Sequence, residues 1–198
     1  MNFLGHALAA TWRDPEPAFV LGAMLPDFAR AAGPGSLATA HARVRDGIAW
    51  HHHTDAAFHA LPQFVAACRR AQAQLESAGV RRGPTLAAAH VGTELLLDAE
   101  LARDDALLAV AASALELELD LGRGMLAVTG RVRSFGLGPG PRAAAAVLER
   151  LVRLLSLHPR LALAPSEHDA VLAWLEPAQL ELRDAAATWT EALRARIL

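Results

Sequence analysis

The pattern of hydrophobic and polar positions favours helices over strands. The clearest case runs from position 177 to the C-terminus, where apolar residues recur among charged ones: Leu180, Leu182, Trp189, Leu193 and Ile197. This is the pattern of a helix that packs one face and exposes the other. Strand-like alternation is weak, and only MLAVTGRVRSF, residues 125–135, alternates enough for a short strand. Because no partner strand is visible, we expect this segment to be helical or irregular.

Proline and glycine divide the chain into segments of helical length. The breaks fall at 15–17, 26, 31–36, 79–84 and 136–141. The sequence predicts helices at about 3–12, 17–30, 36–59, 61–78, 84–103, 104–120, 124–134, 141–157, 165–175 and 177–196. We therefore expect an all-α, single-domain, multi-helix bundle.

The composition agrees with a helical domain that has one core. The chain has 198 residues, of which 53% are hydrophobic, and it contains no tyrosine. Alanine and leucine dominate, and both favour helix over sheet. A domain of this length buries about 70% of the surface that its unfolded chain exposes.

Charge and hydropathy exclude several classes of protein. The formal net charge is −2, and the nineteen basic residues are all arginines without clustering, so we expect no nucleic-acid-binding face. No apolar run reaches the roughly 18 residues of a membrane span, and the N-terminus lacks the basic region of a signal peptide. The single cysteine, Cys68, fits a reducing compartment. We expect a soluble, cytoplasmic protein without a membrane partner.

Histidines and carboxylates concentrate in two segments. Each segment holds three of them at four-residue spacing: His51, Asp55 and His59 in HHHTDAAFH, and His90, Glu94 and Asp98 in AAAHVGTELLLDAEL. Residues four apart differ by only about 40° around a helix, so each set projects from one helical face. Two such helices side by side would form a pocket.

A metal ion would explain why ionisable groups lie on apolar helical faces. Burying an unpaired carboxylate is costly, and a divalent cation removes that cost. Mixed imidazole and carboxylate ligands suit Mn²⁺, Zn²⁺ or Fe²⁺ better than Ca²⁺, and helical bundles hold such sites between facing helices. With two metals, or with one metal and a general base, the pocket could activate water against a phosphate ester.

Some of these residues also have an interpretation without a metal. A histidine and an aspartate four apart can simply stabilise a helix by pairing, and Glu94 and Asp98 could be solvated. His52 and His53 cannot face the same way as His51, so we assign them to the surface or to the surroundings of the site.

Two residues outside these segments are also candidates. Asp27 follows Pro26 at an expected bend, where a carboxylate is as well placed to cap a helix as to bind a metal. His6 lies in the apolar segment MNFLGHALAA and is either a core histidine or a group near the site.

Three motifs resemble a known family. They are MNFLGH at the N-terminus, GAMLPDF at 22–28 and GIAWHHHTD at 47–55. This resembles the opening of the acyl-carrier-protein phosphodiesterases, a branch related to the HD phosphohydrolases, which reads MNFLAH, GNLLxDF, and GI followed after two residues by HRxID. Order and spacing agree over about the first 60 residues. The resemblance implies an HD-phosphohydrolase-like helical fold and an enzyme that releases 4′-phosphopantetheine from acyl carrier protein.

The resemblance also implies site residues. By position, the family's motif histidines and aspartates fall on His6, Asp27, His51 and Asp55. The chain departs from the family where HHHTD replaces HRxID, where the next acidic position is His59, and where AAAHVGTELLLD does not reproduce a later aspartate–histidine pair. These departures leave the metal preference and the substrate open.

The sequence therefore predicts a metal-dependent phosphoester hydrolase. The expected metal ligands are His6, Asp27, His51, Asp55, His59, His90, Glu94 and Asp98. Asp27, Asp55 and Glu94 are also expected to be catalytic, and Arg45 to hold the substrate phosphate. In this hypothesis residues 1–103 form the metal-site half of one domain, and residues 104–198 form its packing half.

Two alternative functions stay open. The first is a non-catalytic helical metal-binding protein, with tightly held metal and a closed coordination shell. The second is a helix-bundle metal oxidase, a class whose sites use about four carboxylates. The expected partner is a phosphoester substrate, with acyl carrier protein as the candidate, and a homodimer through the apolar C-terminal half is also left open.

Overall fold

The structure, a computed structural model, describes residues 1–33, 35, 37–39, 41–121, 123–135 and 143–198. These ranges form nine α-helices and no strand, so the all-α, multi-helix prediction is confirmed. The helices are α1 (Phe3–Thr11), α2 (Pro17–Ala32), α3 (Ala42–His59), α4 (Pro62–Ser77), α5 (Arg82–Leu101), α6 (Asp105–Leu115), α7 (Arg123–Phe135), α8 (Ala144–Leu155) and α9 (His168–Ile197), with a 3₁₀ turn at Pro165–Glu167 before α9. The predicted break at 136–141 lies outside the described residues.

The helix boundaries differ from the predicted ones at a few places. Helix α9 continues through Pro177, where the sequence predicted two helices, at 165–175 and 177–196. Helix α2 runs through Pro26, which the predicted helix at 17–30 also spans. A proline removes one helical hydrogen bond, but apolar side chains are buried on both sides of Pro177, and their packing outweighs that loss. Helix α3 begins six residues later than predicted, α6 ends about five residues earlier, and residues 125–135 are helical.

The chain divides into two compact units. The first unit comprises Met1–Phe58, Leu101–Gly138 and Leu193–Leu198, and the second comprises His59–Glu100 and Pro139–Ala192. The prediction of one domain with halves at 1–103 and 104–198 stays a prediction. None of the described helices combines the length and the hydropathy that crossing a membrane requires.

Helix α2 is the central helix of the first unit. Every residue from 18 to 25 is buried, which fits its continuous apolar run, and α2 packs against α1, α6 and α7. Helix α3 approaches α2 closely at two glycines. A Cβ added to Gly22 would lie 2.2 Å from the Val44 carbonyl oxygen, and one added to Gly47 would lie 2.2 Å from the Phe19 carbonyl oxygen. The two backbones can meet here only because neither glycine has a side chain.

The second unit contains α4 and most of α5. Helix α4 buries one face, formed by Phe64, Cys68, Ala71 and Leu75 at helical spacing. On α5, Gly92 lies against the buried indole of Trp174, so that an added Cβ would lie 2.7 Å from that ring.

A buried carboxylate joins two parts of the second unit. Glu167 is 6% exposed and accepts hydrogen bonds from the backbone and side chain of Arg81 and from the Ala164 backbone, at 2.7–2.9 Å. The Arg81 side chain lowers the pKa of Glu167 to about 2, against the opposing effect of burial. This carboxylate is therefore ionised at neutral pH.

Candidate functional site

Three residues from three helices of the first unit converge on one point. His6 on α1, Asp27 on α2 and His51 on α3 each offer a ligand atom, and these atoms lie within 4.8 Å of one another. We call this group the first cluster. The structure thus brings together one residue from each of the three sequence motifs, and these residues are up to 45 positions apart along the chain.

The tautomer of His51 follows from its hydrogen bond. Nδ1 lies 2.8 Å from the Ala23 carbonyl oxygen on α2, and because a carbonyl can only accept, Nδ1 carries the proton and donates it. Burial, followed by the neighbouring His6, lowers the pKa of His51 to about 3, so the ring is neutral at physiological pH. Its Nε2 therefore presents an unprotonated lone pair.

The same reasoning applies to His6, which is completely buried. Its Nδ1 lies 3.2 Å from the hydroxyl of Thr54, and that hydroxyl donates to the His51 carbonyl oxygen at 3.1 Å. Since the single hydroxyl proton is used there, the hydroxyl oxygen accepts from Nδ1–H of His6. Burial lowers the pKa of this ring too. Its Nε2 is buried and makes no hydrogen bond to a described residue.

Two carboxylates lie beside these rings. Asp27 belongs to the first cluster and is exposed to solvent on α2. Asp55, one turn after His51 on α3, is 33% exposed, and its Oδ1 lies 3.6 Å from Nε2 of His6, beyond hydrogen-bond distance. The same oxygen accepts a hydrogen bond from the Met1 amino group at 3.0 Å.

These residues fit a divalent metal ion. Two neutral imidazoles and one carboxylate are an established ligand set for metals such as Fe²⁺, and His–carboxylate sets also bind Zn²⁺. Histidine ligands usually donate their second ring N–H to an oxygen acceptor, as His6 and His51 do. A buried ring nitrogen without a partner is unfavourable, and a metal would satisfy Nε2 of His6.

A second cluster lies in the second unit and consists of His59, His90 and Glu94, whose ligand atoms are also within 4.8 Å of one another. Nε2 of His59 lies 2.9 Å from Oε1 of Glu94, and Nε2 of His90 lies 3.3 Å from the same oxygen. The imidazole rings stack with centroids 4.8 Å apart. Burial raises the pKa of Glu94, but hydrogen bonds from both histidines oppose this, and the net shift is downward.

The remaining predicted site residues lie elsewhere. Asp98 is buried on α5 and belongs to neither cluster, and Arg45 is exposed on α3, where it donates to the Thr39 carbonyl oxygen at 3.3 Å. The catalytic role of Glu94, the phosphate-binding role of Arg45 and a single site for all eight ligands stay predictions. His52 and His53 are exposed, so their assignment to the surface is confirmed.

Sequence reasoning missed the residues that position the first cluster. The Thr54 hydroxyl and the Ala23 carbonyl fix the two imidazole tautomers, and Gly22 and Gly47 let α3 approach α2. A glycine inside a helical segment is an available signal, because it reduces helix stability and marks a close backbone approach. The role of Ala23 could not be found in this way, because its backbone carbonyl makes the contact and the identity of its side chain does not indicate it.

Comparison with known proteins agrees with the resemblance of the sequence motifs. The family model described as acyl carrier protein phosphodiesterase matches residues 1–80 of the chain. No curated protein and no solved structure matches the chain. The matched region contains all three motifs and all three residues of the first cluster. Residues 1–80 therefore carry the signature of the acyl carrier protein phosphodiesterase family, and the resemblance seen in the sequence motifs is confirmed over these residues.

Proposed function

We propose that this protein is a metal-dependent phosphodiesterase with its active site at the first cluster. One observation carries the proposal: His6, Asp27 and His51, which occupy the three family motifs, meet at one point with ring nitrogens suited to a metal. The proposed substrate is the phosphodiester that joins 4′-phosphopantetheine to a serine of acyl carrier protein. This choice of substrate rests on the family match.

The side chains of the first cluster would hold the ion through Nε2 of His6, Nε2 of His51 and the carboxylate of Asp27. A bound divalent metal supplies Lewis acidity and lowers the pKa of a coordinated water. Burial lowers the pKa values of both imidazoles, so protons compete less with a metal ion for their lone pairs. The exposure of Asp27 leaves this side of the cluster open to solvent and substrate.

The hydrolysis consumes one water and divides the diester into a phosphomonoester and an alcohol. The water oxygen forms a bond to phosphorus while the phosphorus–oxygen bond to the serine breaks, and the serine oxygen gains a proton. Asp55 is the proposed acceptor of the proton that the water loses, because it is partly exposed and has an oxygen 3.6 Å from His6.

Arg45 is the proposed partner of the substrate phosphate. It is exposed on the same helix as His51 and Asp55. An acidic carrier protein would be attracted by exposed arginines of this kind.

The ligand set supports one other function. Two histidines and a carboxylate are also the set of non-haem iron oxygenases, so an iron-dependent oxidase is the second candidate. It predicts bound iron and oxygen consumption in place of hydrolysis.

The test combines metal analysis with hydrolysis. Purified protein is analysed for metals and assayed on bis(p-nitrophenyl) phosphate and on phosphopantetheinylated acyl carrier protein, with and without added Mn²⁺. We expect metal-stimulated turnover, and we expect His51→Ala and Asp27→Asn to reduce kcat/KM by roughly 100-fold or more. The matched control is His53→Ala, an exposed histidine on the same helix, which should keep wild-type activity.

The outcomes separate the candidates. Hydrolysis of the carrier protein with release of 4′-phosphopantetheine supports the full proposal, whereas hydrolysis of the small diester alone supports the reaction but not the substrate. Metal without hydrolysis of either compound refutes the phosphodiesterase proposal in favour of an oxidase or a binding protein.

A further inference from the structure

We infer that the second cluster, His59, His90 and Glu94, is a metal site that binds Zn²⁺ with three protein ligands and one open position. The inference does not depend on the proposed function, because none of these residues belongs to the first cluster. It also does not follow from the family motifs, since His59 stands at an acidic position of the family and the segment around His90 departs from the family pattern.

Two of the three pairs of ligand atoms have separations close to those that an ion requires. In a tetrahedral zinc site with bonds of about 2.0–2.1 Å, neighbouring ligand atoms lie about 3.3 Å apart. Oε1 of Glu94 lies 2.9 Å from Nε2 of His59 and 3.3 Å from Nε2 of His90. Both imidazoles thus direct the nitrogen that binds metals towards one carboxylate oxygen, and only small side-chain shifts would admit an ion among the three atoms.

The surroundings hold the imidazoles in this orientation. Phe64 on α4 packs at a steep angle against both rings, with centroid distances of 5.2 Å to His59 and 5.2 Å to His90. The rings also stack on each other with an interplanar angle of 25°. Orientation fixed by packing lowers the entropy that the side chains lose when an ion binds.

Exposure differs among the three ligands in a way that suits an exchangeable ion. The Glu94 side chain is 14% exposed, while that of His90 is 46% exposed. The cluster is thus anchored on a largely buried carboxylate and open to solvent at one histidine. Two histidines and one glutamate form the zinc set of several hydrolytic enzymes, in which the fourth position holds water. The expected ligand is therefore a zinc ion with at least one exchangeable water.

The experiment counts ions in the full-length protein after chelation and dialysis. Zn²⁺ is titrated by calorimetry, and Co²⁺ is used as a substitute because its visible absorption reports tetrahedral coordination. We expect two ions in the wild-type protein. Glu94→Gln and His90→Ala should each lower the affinity for one ion by at least 100-fold, and helix content by circular dichroism should be unchanged. Glu76→Gln, an exposed carboxylate of the same unit, is the matched control and should keep both ions.

The first cluster is tested in parallel so that the two proposals can fail separately. His51→Ala should remove the other ion and leave the Co²⁺ spectrum of the second cluster in place. If Glu94→Gln and His90→Ala bind as much metal as the wild type, the inference is refuted, and the cluster is an ion pair in which one carboxylate is shared by two imidazoles. That result would leave the proposed active site untouched.

Discussion

Replacing Gly47 by alanine tests whether close packing of α3 on α2 builds the first cluster. The added methyl carbon would lie 2.2 Å from the carbonyl oxygen of Phe19 and 2.9 Å from the backbone nitrogen of Ala23. Both contacts are to helix backbone, so no side chain can rotate away. The two helices must separate, and Ala23 is the residue whose carbonyl orients His51.

The size of the effect follows from these distances. Carbon and oxygen atoms rarely approach closer than about 3.3 Å, so the helices must move apart by about 1 Å. Overpacking of this kind costs about 1–3 kcal/mol, and the higher helix propensity of alanine returns at most about 1 kcal/mol. We expect a net loss of about 1–2 kcal/mol in the free energy of unfolding. A shift of about 1 Å at His51 should also weaken metal binding by roughly 10- to 100-fold. Mutating the groups that orient a metal ligand typically lowers metal affinity by this amount.

The assay pairs urea denaturation with metal titration. Ala56→Gly is the control: position 56 is exposed on α3, so this change should destabilise the helix by about 1 kcal/mol without moving it against α2. We expect Gly47→Ala to lose both stability and metal affinity, and Ala56→Gly to lose stability alone. Wild-type metal affinity in folded Gly47→Ala protein would refute the role of this contact in building the site.

Two further predictions concern the second unit. Glu167→Gln should lower the free energy of unfolding by about 1–2 kcal/mol at pH 7, because a carboxylate with a pKa of about 2 stabilises the fold at pH values above its unfolded pKa of 4.5 and loses this effect as pH falls. In denaturation experiments at several pH values, the difference in unfolding free energy from the wild type should fall by more than half at pH 3. A difference that stays constant with pH would contradict this explanation. Gly92→Ala should lower the free energy of unfolding by about 1–3 kcal/mol, because the added Cβ would lie 2.7 Å from the ring of Trp174. In a double-mutant cycle, combining it with Trp174→Phe should recover at least about 1 kcal/mol of that loss. Strictly additive effects would exclude the clash.

The helices were predictable because local signals specify them. Pro17 and Pro62 stand in the first turn of α2 and α4, and Asp104 caps α6 by accepting from two backbone N–H groups, so sequence and structure agree at these ends. The prediction differed at Pro177, where a proline that usually ends a helix lies inside α9. Its tolerance depends on apolar packing from other parts of the chain, which no local rule contains.

The sequence identified candidate site residues, but it did not indicate which of them lie together in the folded chain. Motif positions identified His6, Asp27 and His51 as candidates, yet nothing in their spacing indicates that three different helices bring them to one point. That convergence requires the contact of α2 with α3 at Gly22 and Gly47, which is a property of two backbones. Tautomers and pKa shifts then follow from burial and from carbonyl or hydroxyl partners, and these exist only in the folded chain.

Helical geometry explains why four-residue spacing alone cannot define a metal site. Residues four apart share a face, but each step also advances about 6 Å along the axis, so the first and last members of a set of three are about 12 Å apart. The ligand atoms of one ion lie within about 3–4 Å of each other. Only neighbouring members of such a set can share an ion, as His90 and Glu94 do on α5, while Asp98, one turn further, belongs to neither cluster. The other ligands must come from a different helix, so a set of this kind predicts at most half of a site, and the packing of helices supplies the rest.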